Sequence, residues 1–166
     1  MNQLEERAWR VWLLLPLAVA LQTTWLARWQ PAGVHIDLPL LVVVSVALTL
    51  GARTGAVYGL STGLLEATFA VVSPGAFALS RLAVGAVFGL FDRGFSHDNP
   101  LAPPLCAVGA TLLANAIFLV MSPTDFSLSW WLLRLPGVLL LHAILIWPVH
   151  WMVTRLVAPP PRQLLS

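Results

Sequence analysis

Apolar runs separated by brief polar breaks dominate the chain, at about 11–29, 38–51, 54–72, 76–91, 101–121 and 137–157. A hydrocarbon core about 30 Å thick is crossed by roughly 20 helical residues, so the pattern predicts six transmembrane helices and an all-α integral membrane protein. The second and fourth runs hold only about 14 to 16 residues, a reach of ~21–24 Å, which predicts that neighbouring helices shelter them. Asp37 reads as an N-cap ahead of Leu38-Pro39, where proline suits a first turn. Gly51-Ala52-Arg53-Thr54 leaves almost no loop between the second and third runs, predicting an antiparallel helical hairpin. Pro148 should kink or interrupt the last helix, and Pro159-Pro160-Pro161 should end it. The chain thus reads as one six-helix domain over 1–158 with a short tail, 159–166.

Composition turns this pattern into a class. Hydrophobic residues make up 58%, charged residues 10%, and the mean hydropathy is +0.84. A soluble domain carries about 25% charged residues, so a soluble enzyme is excluded. The net charge of +2 comes with scattered arginines and no lysine, which argues against nucleic-acid binding. A single cysteine, Cys106, excludes an intrachain disulfide or a cysteine metal cluster. Residues 1–20 have some signal-peptide character, with Ala18-Val19-Ala20 as a small-residue site. Glu5 and Glu6 dilute the basic start, however, and the apolar run continues to Trp29, so we expect a retained first span.

Six spans put both termini on one side, with Arg7, Arg10, Arg53, Arg93, Arg155 and Arg162; Arg28, Arg81 and Arg134 fall on the other half. The positive-inside bias then predicts cytoplasmic termini. Tryptophan points the same way. Trp9, Trp12, Trp25 and Trp29 flank the first span, and Trp130, Trp131, Trp147 and Trp151 the last. Trp9 to Trp29 and Trp131 to Trp151 each span roughly 30 Å of helix, which predicts interface anchors at bilayer width facing lipid or a partner.

The middle of the chain carries the candidate functional residues. Gly51, Gly55, Gly59, Gly63 and Ala67 recur every fourth position and Gly85 and Gly89 repeat the device, forming small-residue faces that permit close helix approach. Two readings follow: packing within the chain, or a groove for a partner's helix. Glu66 and Arg81 lie inside the membrane, where charges are paired, neutralised or turned to a cavity. Pairing across the Ser73-Pro74-Gly75 turn stands beside snorkelling of Arg81 to headgroups. His142, near the middle of the last span, reads as a neutral hydrogen-bonding residue aimed at a neighbouring helix. His97 and Asp98 make no metal site by themselves, and no metal or other cofactor is expected. No nucleophile elbow, zinc-protease motif, phosphate loop or aspartate pair occurs, so no catalytic role is expected.

Taken in order, Asp37-Leu38-Pro39-Leu40-Leu41, then Arg53-Thr54-Gly55-Ala56-Val57-Tyr58-Gly59-Leu60-Ser61-Thr62-Gly63-Leu64-Leu65-Glu66, then Ser73-Pro74-Gly75, Gly85, Gly89 and Trp147-Pro148, the chain is similar to the MreD family. These are rod shape-determining membrane proteins of bacterial cell-wall elongation. The resemblance covers about 37–155 and rests on the order of a GxxxGfxxGLxxD-like pattern and a Pro-Gly turn; Glu66 stands where the family usually has Asp. It implies a non-enzymatic scaffold in the bacterial inner membrane that binds the membrane helix of an MreC-like bitopic protein. RodA-like glycosyltransferase and a class B penicillin-binding protein are implied as neighbours, with MreB filaments contacted indirectly and membrane lipid around the spans. It also implies the six-helix architecture of the substrate-binding subunits of energy-coupling-factor transporters. The alternative reading is therefore a vitamin-binding transporter subunit, with a pocket drawing on Gln30, His35, Asp37, Asp125, Trp130 and Trp131.

Overall fold

The computed structural model describes residues 9–26, 28, 34–69, 73–91, 99–122 and 128–157, and every regular element among them is helical. The order is α1 (Leu14–Leu21), a π-helical turn (Gln22–Leu26), α2 (Leu38–Phe69), α3 (Pro74–Phe88) with a 3₁₀ extension (Gly89–Phe91), α4 (Ala102–Met121) and α5 (Leu128–Val157). Four stretches are long and apolar enough to cross a membrane: Leu38–Phe69, Pro74–Phe91, Ala102–Met121 and Leu132–Val157. The protein is a multi-pass membrane protein.

The 32 residues of α2 do not run straight. Gly51 has φ 85° and ψ 175°, outside helical geometry and in a region that favours glycine. Beyond it the chain returns alongside itself. A Cβ placed on Gly55 would lie 2.7 Å from the Ala47 Cβ, and one on Gly59 3.3 Å from a Val43 methyl. Residues that far apart would be about 12 and 24 Å distant along a straight helix. The element is thus two antiparallel arms, 38–50 and 52–69, with the turn compressed into one glycine.

The first arm is apolar except for Ser45 and Thr49, whose hydroxyls donate back to the Leu41 and Ser45 carbonyls, and every residue from Pro39 to Leu48 is buried. A helix of this kind belongs in an interior. It is wrapped by Val11, Leu14 and Ala18 before the π turn, Tyr58 of the second arm, Val84 of α3, Cys106, Ala107 and Ala110 of α4, and Ile146, Val149 and Val153 of α5. The outer helices expose leucine, valine and tryptophan outward, as a lipid-facing surface requires.

The N-terminal helix is less regular than its hydropathy predicts. Helical turns over 9–12 and 14–21 are separated at Leu13, whose N–H reaches Arg10 at 3.2 Å. The freed Val11 carbonyl accepts from the Tyr58 hydroxyl at 3.2 Å, and the Tyr58 ring packs against Trp12. Past Leu21 the helix widens, and Thr23 and Thr24 donate back to the Val19 and Ala20 carbonyls. α5, by contrast, is unbroken through both Pro136 and Pro148. The interruption expected at Pro148 does not occur; the helix continues with one backbone donor missing.

Candidate functional site

The first arm is too short to match its neighbours. Its 13 residues reach about 20 Å, whereas the 30 residues of α5 reach about 45 Å. The arm's N-terminus therefore starts partway down the bundle, and the extended segment 34–37 descends between helices to meet it. Gly137 of α5 makes room for that descent, since a Cβ there would lie 3.0 Å from a Val34 methyl. Polar side chains from every surrounding element converge where the segment ends.

At their centre is Arg81 of α3, 1% exposed. Its Nε donates to Glu66 Oε2 at 2.7 Å and its Nη2 to Glu66 Oε1 at 3.1 Å, a two-pronged pairing across the turn between the second arm and α3. Nη2 also donates to Asp37 Oδ2 at 2.7 Å. Glu66 is 8% exposed and Asp37 31%. One guanidinium thus holds two carboxylates supplied by the starts and ends of the hairpin arms, while the Phe77 ring lies 5.9 Å from the guanidinium carbon. Nη1 has no hydrogen-bond partner among the described residues.

Asp37 has three separate tasks. Oδ2 binds Arg81, Oδ1 accepts the Leu40 N–H at 3.0 Å as an N-cap, and its backbone N–H donates to His142 Nε2 at 3.0 Å. That last bond fixes the state of the imidazole. Nε2 is an acceptor and so carries no proton. Thr111 spends its one hydroxyl proton on the Ala107 carbonyl at 2.7 Å, so the 2.7 Å contact between Thr111 Oγ1 and His142 Nδ1 must be an Nδ1–H donation. His142 is neutral, protonated on Nδ1, and joins the hairpin to α4 and α5. Replacing His142 with Phe keeps the bulk but strands the Asp37 N–H, a loss of about 1–3 kcal/mol. Thermal unfolding of the purified variant in detergent would read it, and an unchanged midpoint would show that the bridge contributes nothing.

The Gln22 side chain adds a second clasp, donating to the Ile36 carbonyl at 2.7 Å and accepting the Leu38 N–H at 3.1 Å. Two cavities flank this junction. One of about 210 Å³ is lined by Asp37, Leu40, Phe77, Arg81, Asn115 and Phe118 with Arg134, Val138 and His142 opposite. The other, about 340 Å³, lies toward Gln22 and Glu66 and shares His35, Asp37, Phe77 and Arg81 with the first. No group of three or more His, Cys, Asp or Glu side chains placed to hold a metal occurs among the described residues.

The glycines of the groove reading need correction. Gly51, Gly55, Gly59, Gly63, Gly85 and Gly89 are all buried, and the face they make is filled by this chain's own helices. A Cβ on Gly55 would lie 2.6 Å from the Gly85 carbonyl oxygen, one on Gly63 2.5 Å from that of Phe77, and one on Gly89 2.5 Å from the Ala52 nitrogen; Gly59 faces the Arg81 carbonyl. The second arm and α3 are therefore in backbone contact at Gly55, Gly59, Gly63, Gly85 and Gly89, and among the described residues these glycines leave no room between the two helices for a partner's helix. Small residues permit that approach, where dispersion and polar contacts replace a missing hydrophobic drive.

Among the predicted interface anchors, Trp9, Trp12, Trp25, Trp147 and Trp151 are exposed on the apolar exterior, and Arg155 stacks 5.0 Å over the Trp151 ring. Trp130 and Trp131 belong to the first turn of α5. Trp29 lies outside the described residues, as do Gln30, His97, Asp98 and Asp125.

Sequence reasoning placed Asp37 as a cap and, in the transporter alternative, in an outer pocket, but not with Arg81. Its joint role with Arg81 and His142 is written in no local spacing, because it depends on the hairpin bringing both carboxylates to one level. Thr111 and Asn115, one turn apart in the middle of an apolar span, were the available signal for a polar junction on α4.

The chain matches no protein-family model, no curated protein and no solved structure.

Proposed function

We propose that this protein is a non-enzymatic scaffold subunit of a bacterial cell-wall elongation complex, similar to MreD, that holds an MreC-like bitopic protein at the inner membrane. One observation carries this reading. Most of the residues on which the resemblance rests, those scattered over Asp37 to Gly89, converge on a single packing unit. Asp37 and Glu66 grip one arginine, the glycines mate the second arm with α3, and Ser73 directly precedes α3, its hydroxyl bonded to that of Ser122. Such a locked interior gives a fixed outer surface, which is what positioning a partner demands.

In this reading the chain crosses the membrane six times, with 9–26, the two arms of α2, α3, α4 and α5 as spans. Both termini and the Gly51 turn face the cytoplasm. Because the glycine faces are consumed internally, the partner helix docks on an outer apolar face. RodA-like glycosyltransferase and a class B penicillin-binding protein assemble through it, and MreB filaments follow indirectly.

The test is purification of the tagged full-length chain from its native cells in mild detergent, followed by mass spectrometry. Recovery of an MreC-like bitopic protein with cell-wall synthases is expected. Recovery of an ATPase with a coupling subunit instead would overturn the scaffold in favour of a transporter subunit.

A further inference from the structure

Arg81 is the largest of the fully buried side chains among the described residues, and it is under-used. Of its five N–H groups, one on Nε and two on Nη2 reach carboxylates, while both on Nη1 reach nothing among the described residues. Buried donors of this kind are rare and costly, because desolvation is not offset. The geometry of the guanidinium says where the spare donors lie. Glu66 occupies the Nε–Nη2 edge and lines only the larger cavity, so Nη1 lies on the edge away from Glu66, and Arg81 also forms part of the smaller cavity's wall.

That smaller cavity has the make-up of a ligand site rather than of a packing flaw. Its walls are apolar and aromatic, with Phe77 and Phe118 in edge-to-face contact at 4.8 Å, Leu40, Ala114 and Val138. Polar side chains supply the rest of the lining, with Asp37, Arg81, Thr111, Asn115, Arg134 and His142 among them. Binding sites for small molecules combine these two features. Arg81, Arg134 and Asp37 line it, and Glu66, outside the lining, pairs with Arg81 from the other side, so these four described charges sum to zero. An occupant carrying net charge would upset that balance in a low-dielectric interior and gain no surplus counter-charge.

We propose that the cavity between α3, α4 and α5 binds a compact uncharged molecule with an aromatic body, whose carbonyl-type oxygen accepts from Arg81 Nη1 while its ring sits against Phe77 and Phe118. The site is independent of the scaffold role and stands whichever partner the protein holds. Its floor is the His142–Thr111 bridge, so the same contacts that lock the hairpin also shape the site.

Three probes of one size separate the possibilities: benzamide, benzoate and benzylammonium differ only in the charge and hydrogen-bonding of the head. Each is titrated against the full-length protein in phosphatidylcholine nanodiscs by saturation-transfer difference NMR, with empty nanodiscs subtracted. Saturable binding of benzamide is expected, with benzoate and benzylammonium weaker by about tenfold or more, the effect of one good hydrogen bond or an uncompensated charge. Val138→Phe and Ala114→Phe fill the cavity from two different helices, and either one that retains the parent's elution profile should abolish the benzamide signal. Benzamide signals that survive in the filled variants would reveal partition into lipid and overturn the proposal. Absence of saturable benzamide binding would mean that the cavity holds water only, and tighter binding of benzoate would overturn the uncharged head.

Discussion

Replacing Arg81 with Met should destabilise the protein by about 3–5 kcal/mol, the cost of leaving buried carboxylates without their counter-charge. Arg81 is the sole cation bonded to both Asp37 and Glu66 among the described residues, and it sits at the level where the first arm begins. Without it the two acids are left without their shared counter-charge, and the N-terminus of the arm loses its anchor to α3. The loss should be much smaller when Glu66→Met is added, because one unpaired charge is removed with the other. The double variant should therefore be more stable than the sum of the single changes predicts, a coupling that unfolding of all three purified variants in detergent would measure. Additive losses would mean that the arginine and the glutamate contribute independently, and the ion-pair account of the junction would fail.

Gly59→Leu should be more damaging still and prevent accumulation of folded protein. A side chain at that position meets the Arg81 backbone, at 2.8 Å from its carbonyl carbon for the Cβ alone, and backbone cannot rotate away as a side-chain tip can. Accommodating it would push α3 off the second arm, and the shift would draw Arg81 away from Glu66 as well. Even Gly59→Ala should be severely destabilising. Gly75 supplies the control: a Cβ there meets nothing closer than the Met121 methyl at 3.9 Å, so Gly75→Ala should be neutral or stabilise by a few tenths of a kcal/mol to about 1 kcal/mol. Folded yield by fluorescence size-exclusion chromatography compares all three. Normal yield of Gly59→Leu would show that the helices are not in backbone contact and would reopen the ladder as a surface for a partner.

How far the sequence could go depends on the range over which each feature is determined. The hairpin was legible because its signals are local: two apolar runs with a glycine between them and no room for a loop. Burial of the first arm followed from its length, a run too short to cross the hydrocarbon core on its own. The ladder's spacing was legible but its occupant was not, since Gly55, Gly59 and Gly63 look the same whether Gly85, Arg81 and Phe77 or a foreign helix lies opposite. Pairing of Glu66 with Arg81 could be proposed from depth alone. The third member could not, because Asp37 reaches Arg81 only after the arm has been folded back and found too short for the bundle. The cavity has the same origin, an unmatched length between elements distant in sequence. Of the kink or interruption expected at Pro148, the interruption is absent because flanking turns held by Ile146 and Val149 in the core keep the helix continuous across the missing donor.

The most direct test of the account is the side on which residue 53 lies. Arg53→Cys, in a Cys106→Ser background, places one thiol at the exposed turn after Gly51. Labelling with a membrane-impermeant maleimide in right-side-out and inside-out vesicles, beside a tag on the C-terminus, reports where it sits. The folded-back hairpin predicts labelling from the same side as the C-terminal tag. A thiol shielded from both sides would mean that Leu38–Phe69 crosses as one straight helix of about 48 Å. In that case Asp37 and Glu66 could not share Arg81, and the junction on which the account rests would not exist.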